Sequence, residues 1–447
     1  MSRRRARHLG RLSRKTVQLS LVLCGAALVA FVSLGFAHLA DLALHLNSRW
    51  LAANPWLAFF LLPLGLPLIR ALTMRFAANA AGSGIPQVIA SLSLPPSEGG
   101  RNLVALSQAL WKIPLTFCGL LVGASIGREG PSVQVGAALM LAWGGFCARM
   151  GFPLKGVHPS ELIATGAAGG LAAAFNAPLA GVIFAIEELG RGTALRWQRL
   201  VLLGVLAAGF MVVAVAGNNP YFGTFGGQAL ARDMLLWTLS CGLACGIGGG
   251  VFGRLLSKGL AAYAPSRCRG WIRRHPLWMA FLLGVALAVM GLMTRNAIYG
   301  TGYGVASQAL AGDALDMPGF SVAKLLATVG SYWAGVPGGI FTPALTVGAG
   351  IGGELGRLAA DVDSRVLVLM CMAGFLAAST QSPITASVVV MEMTGSQPML
   401  FWLLVGSLSA SLVSRQICPQ PFYHYAAGRF RHQAREHDHR LRREDRV

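Results

Sequence analysis

Charge is what this sequence has least of. Of its 447 residues only 12% are Asp, Glu, Lys or Arg, and 17 are acidic. A soluble globular chain carries about twice that charged fraction, so a soluble domain is excluded. Short segments of alternating hydrophobicity are also missing, which excludes a membrane β-barrel. The eight cysteines form no zinc-like pairs of pairs and imply no disulfide framework. Cys241 and Cys245 read as two small residues on one helix face. None of the nine His pairs with another ligand at metal spacing inside an apolar run. An intramembrane hydrolase would need such ligands, or a nucleophile with its base. The chain is therefore expected not to be an enzyme, and no metal or cofactor is expected.

Long apolar runs are abundant. Hydrophobic residues make up 54% of the chain, the mean hydropathy is +0.58, and runs long enough to span a bilayer recur along most of its length. The expected fold class is an all-α polytopic membrane protein. The 57 glycines suit close helix packing and broken helices. The first run, Val17 to Phe36, follows a basic stretch as a signal peptide would. It is too long for that and lacks a small-x-small cleavage site, so it is expected to stay as the first membrane helix.

The net charge of +20 sits largely at the ends: residues 1–15 hold seven Arg or Lys and residues 429–447 hold seven Arg. Basic ends beside apolar spans read as cytoplasmic flanks touching anionic lipid, not as a nucleic-acid surface. Arg70 and Arg75, then Arg191, Arg196 and Arg199, then the stretch Arg254 to Arg274 are expected on the same side. The base-poor loop "GNNPYFGTFGGQ" (Gly217 to Gln228) is expected outside.

Two blocks repeat in the same order. "KIPLTFCGLLVGASIGREGPSVQVGA" (112–137) matches "KLLATVGSYWAGVPGGIFTPALTVGA" (324–349) at eight of 26 positions. "AAGGLAAAFNAPLAGVIFAIEELG" (167–190) matches "MAGFLAASTQSPITASVVVMEMTG" (372–395) at eight of 24. Three Arg follow the second block in the first half, whereas Gly395 to Ser414 carries no charge. The same position thus falls on opposite sides of the membrane. That is an inverted-topology repeat, a transporter signature with substrate at the midplane.

"GSGIP" (Gly82 to Pro86), "GREGP" (Gly127 to Pro131), "GGIFTP" (Gly338 to Pro343) and "PQPFY" (Pro419 to Tyr423) each place Pro near an apparent helix start inside apolar sequence. A helix start offers free N–H groups and about half a positive charge. Several converging at mid-membrane make a site for a small anion, with no Lys or Arg at the centre to hold it too tightly for conduction.

These motifs, in this order, resemble the CLC family of chloride channels and proton-coupled chloride transporters, over residues 17–428. The resemblance implies a CLC-type fold of two inverted repeats with broken intramembrane helices. It also implies a homodimer with one pathway per subunit, cytoplasmic termini and a bacterial inner-membrane location. Ser83 and Tyr423 would place hydroxyls on the central chloride, and backbone amides at Ile340 and Phe341 would complete that site. Glu129 would be the gate, with Arg128 and Gly130 supporting an outer site. Glu188, the second Glu of the "NAPLAG…EE" run, would be the inner proton acceptor.

The repeat sorts the acids further. Glu187 aligns with Glu392, which favours an architectural role for both. Glu188 aligns with Met393 and Glu129 with Phe341, so these two carboxylates break the symmetry, as function would. Lys112 aligns with Lys324, so a structural role is expected for that pair. Glu354 is read as a helix-end pair with Arg357. Gln87 stands where relatives commonly carry Glu, and Ile89 where some exchangers carry another acid, so the inner proton route is expected to be wired differently.

The expected division is a basic N-terminus (1–16), a first half (17–253), a basic linker (254–274), a second half (275–428) and a basic tail (429–447), with no regulatory domain pair after it. The expected activity is chloride/proton antiport, with chloride and protons as the partners and no nucleic acid or protein partner beyond a second copy. A passive chloride channel of the same fold, or an exchanger for another small anion such as nitrate, is the alternative, and Glu188 argues against the channel. Nitrate and fluoride are disfavoured because Ser83 stands where nitrate-selective relatives carry Pro.

Overall fold

The computed structural model describes residues 3–95, 97–192, 199–227, 233–313, 317–359 and 362–444. Arg196, Gln228 and the last three residues of the basic tail lie outside them. The described residues are helical, with one isolated backbone bridge between Gly127 and Gly339. Seven helical segments are long and apolar enough to cross a membrane. Shorter apolar helices such as Ser364–Thr380 and Pro383–Thr394 pack among them.

Three boundaries differ from the sequence reading. The first helix runs Arg3–Ala53, 51 residues, because nothing between Val17 and Ala53 breaks it. Arg254 and Lys258 are the last turns of the helix Met234–Lys258, so the linker proper starts at Gly259, where φ is +70°. The basic tail is the continuation of the helix Phe422–Glu444. Asp438 on that helix accepts a hydrogen bond from Gly99 N at 2.7 Å.

The repeat is visible in the packing. The helix Glu129–Arg149 lies on Pro159–Phe175, and its mate Phe341–Gly356 lies on Ser364–Thr380. Each crossing has a glycine at the equivalent position. A Cβ on Gly136 would strike Gly166 O, and one on Gly348 would come within 2.7 Å of Met372 Cα. Small residues at such crossings let two backbones meet where lipid supplies no hydrophobic drive.

Lys112 and Lys324 hold matching turns. Lys112 Nζ donates to Ala80 O and Gly82 O, both at 2.7 Å. Lys324 Nζ donates to Ile298 O and Gly300 O, both at 2.8 Å. Both ammonium groups are buried and bound to carbonyls rather than carboxylates. The matched grips also pair Ser83 with Thr301 and the short helix Ile85–Ser93 with Tyr303–Ala311. That third element of the repeat is not legible in the residue identities.

Two cavities lie at opposite ends of the helix Pro276–Met293, whose 18 residues extend roughly 27 Å, close to the hydrocarbon thickness. One, of about 540 Å³, includes Pro276 and Met279 in its wall together with Arg70, Lys258, Arg273 and Arg429. The other, of about 820 Å³, lies beyond Met293 and is lined by Asp41, Arg128, Tyr221, Arg295, Thr301 and Tyr303 among others. The first cavity touches Gly82 and the second touches its mate Gly300, as inverted halves require.

Candidate functional site

Three of the four expected helix starts are stitched together by backbone bonds. Gly127 and Gly339 exchange N–H···O bonds of 2.7 Å, and Gly338 N donates to Gly82 O at 3.0 Å. The helices that follow, Ile85–Ser93, Glu129–Arg149 and Phe341–Gly356, therefore begin around one point. The first turn of each has N–H groups without an intrahelical acceptor.

Glycine makes the convergence possible. Gly84 has φ +105°, and a Cβ there would lie 2.7 Å from Gly130 O. A Cβ on Gly130 would strike Ser83 Oγ and lie 2.7 Å from Ser83 O. Lys112 orients the same segment. Because Gly82 O points to the ammonium, the N–H of Ser83 in the same planar trans peptide points the other way.

The fourth start delivers Tyr423. The helix Phe422–Glu444 follows Pro421, whose carbonyl takes Tyr425 N at 2.9 Å. The ring of Tyr423 stacks on Phe341 with centroids 6.2 Å apart, and Phe422 meets Tyr332 edge-on at 5.5 Å. Tyr423 Oη stands close enough to interact with Ser83. Both hydroxyls are buried with no hydrogen-bond partner among the described residues. A buried hydroxyl without a partner is costly, about 1–3 kcal/mol. Both therefore stand beside the helix starts with their hydrogen-bonding capacity unused. Tyr425 is half exposed and belongs to the wall of the basic cavity, not to this cluster.

Glu129 opens its own helix and is fully buried. Thr342 Oγ1 donates to its Oε1, while Oε2 has no partner and lies 3.4 Å from the place a Cβ on Gly339 would occupy. The carboxylate thus sits across the start of the Phe341 helix. A carboxylate at bilayer depth costs about 2.5–3.5 kcal/mol. A charge-assisted hydrogen bond returns about 1.5–3 kcal/mol, and a helix start up to about 2 kcal/mol. The sums nearly cancel, so Thr342 and the helix start can hold the charged side chain in this position.

Arg128 is not the partner of Glu129. Its guanidinium donates to Asp41 and to Ala37 O, each at 2.7 Å, and lies over the Tyr221 ring at 5.7 Å from the centroid. It borders the second cavity instead of touching the carboxylate. Tyr221 lies in the loop expected outside, and that loop is anchored by Phe222 N to Met393 O at 2.8 Å and Phe225 N to Thr394 O at 2.7 Å.

Glu188 lies in a π-helical turn, Ala185–Leu189, and is 1% exposed. Ser382 Oγ donates to its Oε2, and Oε1 has no hydrogen bond. His424 Nε2 lies 3.5 Å from Oε1 and 3.2 Å from the Glu188 carbonyl. Its neighbour Glu187 faces the other way and accepts from Ile384 N and Thr385 N at 3.2 and 2.6 Å. Phe341 packs edge-on against Phe184 at 6.4 Å and stacks on Tyr423, and no hydrogen bond joins Glu188 to Glu129 among the described residues.

One sequence expectation, the pairing of Glu354 with Arg357, is corrected here, and the places of Gln87 and Ile89 are seen. Gln87 Nε2 donates to Asn79 O and Ala81 O at 2.9 and 2.7 Å, and Ile89 is buried in the apolar core. Both positions are structural, so the departure at Gln87 shapes the Ser83 turn. Glu354 accepts from Gly319 N at 3.1 Å and Ser321 Oγ at 3.0 Å, so its bonds tie the helix end to the helix Phe320–Trp333. Thr342, Ser382 and His424 were not found by sequence reasoning. Thr342 stands in the "GGIFTP" motif and carried a signal. The other two are distant in sequence from the carboxylate they meet.

Helix starts and hydroxyls gathered inside a membrane bundle of two inverted halves define an intramembrane pathway for small anions. A family model described as voltage gated chloride channel matches residues 64–415, and the chain belongs to that family. It is 32% identical to the H(+)/Cl(-) exchange transporter ClcA of Cronobacter sakazakii, over 90% of this chain and 86% of that one. It is 29% identical to the H(+)/Cl(-) exchange transporter ClcA of Vibrio parahaemolyticus, over 90% and 88%. The crystal structure of a slow cyanobacterial Cl-/H+ antiporter superposes with a TM-score of 0.76 at 26% identity, covering 93% of this chain and 98% of that one. A CLC-type fluoride/proton antiporter shares the fold, with a TM-score of 0.72 at 22% identity, covering 90% and 96%.

Proposed function

We propose that the chain exchanges chloride for protons across the membrane through a pathway within each subunit. The observation that carries this reading is the pair of carboxylates that break the internal symmetry. Glu129 lies across a helix start with one oxygen free, and Glu188 is sealed inside with one oxygen free. A passive pore needs neither.

Chloride binds between Ser83 Oγ and Tyr423 Oη, against amides at Ile340 and Phe341. Glu129 occupies the next anion position when ionised. Protonation removes its attraction to the helix start, and the side chain leaves that position to chloride. Glu188 exchanges protons with the inner solution, and the proton passes to Glu129 past the Phe341 and Phe184 rings by way of transient water. Because both ions require Glu129 to move, neither is transported alone.

The basic cavity is the cytoplasmic mouth. It carries four cations, with no carboxylate among the described residues lining it, so its potential raises the local anion concentration. The first helix ends in the wall of the opposite cavity and the last helix begins in the wall of the basic one. Together with the basic ends, this supports cytoplasmic termini in the inner membrane. The working unit is a homodimer, and cross-linking in native membranes tests that assembly.

The test is flux from proteoliposomes holding a chloride gradient, with a pH electrode in the bath. Uphill proton movement driven by chloride supports exchange. Chloride flux without proton movement reassigns the protein as a channel.

A further inference from the structure

Glu188 must trade protons with water, yet it is 1% exposed and one of its oxygens already accepts from Ser382. The remaining oxygen, Oε1, faces the His424 ring, and the Tyr423 phenol also lies within electrostatic reach of Glu188. His424 Nε2 lies 3.5 Å from Oε1, and the His424 side chain retains 19% exposure. The same nitrogen lies 3.2 Å from the Glu188 carbonyl. A carbonyl only accepts, so Nε2 carries a hydrogen and points it at Glu188. His424 therefore meets the sealed carboxylate through Nε2 while part of its own side chain stays exposed.

We propose that His424 is the proton relay between the inner solution and Glu188, a positioning and shuttling role that rests on the antiport reading. The neutral ring takes a proton at Nδ1 from a hydronium ion, which leaves as water. The imidazolium then gives its Nε2 proton to Oε1 of the Glu188 carboxylate, leaving neutral imidazole and a neutral carboxylic acid. Rotation about Cβ–Cγ returns the bare nitrogen to solvent. The reverse sequence carries protons out. The charged groups that act on the ring are Arg191, on the turn after the π-helical segment, and Arg431, two helical turns further along its own helix. Arg191 also acts on Glu188, as does Glu187. Arg191 Nη2 is itself held by Gln381 O at 3.1 Å, so it stays beside the relay without replacing it.

The test compares parent and His424→Gln in proteoliposomes, measuring chloride and proton fluxes together from about pH 4 upward to neutrality, because burial, with Arg191 and Arg431 nearby, lowers the His424 ring to about 4. Glutamine keeps a donor toward Glu188 but cannot carry a proton across. The expected result is coupled turnover lowered at least about fivefold, with a flattened dependence on inner pH. Imidazole added to His424→Ala vesicles should restore proton flux in proportion to its concentration. A structural effect is separated by placing His424→Gln on Glu129→Ala, where chloride moves without protons. Chloride efflux there should match that of Glu129→Ala alone. Unchanged coupled turnover and pH profile in His424→Gln would overturn this inference and leave antiport standing. An equal loss of chloride efflux on the Glu129→Ala background would also overturn it. A parent protein that moves chloride with no protons would overturn the antiport reading and the relay with it.

Discussion

Glu187 and Glu392 cap each other's helices. Glu187 takes the first amides of the helix Pro383–Thr394, which carries Glu392. Glu392 takes Leu179 N and Ala180 N, at 3.1 and 2.6 Å, on the helix Pro178–Phe184 that leads into Glu187. Each carboxylate sits at a positive helix end, and together they tie the two repeats at their axis. Removing either cap costs about 1–2 kcal/mol. Glu187→Ala and Glu392→Ala should therefore lower the melting temperature in detergent by similar amounts, while flux per folded molecule stays close to that of the parent.

The lysine pair predicts a second, larger effect on stability. Lys112→Met leaves the buried Ala80 carbonyl without a donor and Gly82 O with the Gly338 amide alone, and an unpaired buried group costs about 1–3 kcal/mol. The variant should be less stable than either capping mutant. It should also bind chloride more weakly, because Gly82 then no longer fixes the Ser83 turn. Lys324→Met should be at least as unstable, since it removes the Lys324 donor from both Ile298 O and Gly300 O. Thermal melts and chloride titration calorimetry on both variants check the comparison.

At the anion site, Tyr423→Phe removes one hydroxyl and keeps the ring stacked on Phe341. A hydrogen bond to a charged group is worth about 1.5 kcal/mol or more, so chloride affinity should fall about tenfold. Gly130→Ala acts on the partner hydroxyl, because the added methyl would occupy the space of Ser83 Oγ. It should weaken chloride binding with Tyr423 intact. Calorimetry that finds either variant unchanged removes that hydroxyl from the site.

The pH dependence follows from Glu129. In the proposed gate, a Glu129 side chain that has lost its charge leaves the Phe341 helix start and opens the position to chloride. Parent flux should therefore rise as pH falls, whereas Glu129→Ala should conduct at all pH values and move no protons. Glu188→Gln can still accept from Ser382 but cannot ionise, so it should abolish proton transport and spare chloride. Chloride and pH electrodes on the same vesicles read all three.

Much of this was legible in the chain because the features are local. A Pro near a helix start inside apolar sequence marks where a new helix opens, and a helix begins at each of the four motifs. The repeat separated the symmetric pairs Glu187/Glu392 and Lys112/Lys324 from the unmatched Glu129 and Glu188. What stayed hidden depends on distant approach. Ser382 and His424 meet Glu188 from 194 and 236 residues away. The turn at Thr301 matches that at Ser83 in its lysine grip and not in an obvious motif. Glu354 and Arg357 looked like a pair by helical spacing, yet tertiary packing offered Glu354 better donors on the neighbouring helix. The first helix ran longer than its apolar core because polar residues after Phe36 do not break a helix.

Anomalous diffraction from bromide-soaked crystals of parent and Glu129→Gln tests most directly whether the carboxylate and the anion share one position. The account predicts bromide between Ser83 and Tyr423 in both proteins, and a further peak in Glu129→Gln where the parent holds its carboxylate. A neutral amide side chain resting in the parent carboxylate's position, with no bromide beside the Phe341 helix start, would contradict it.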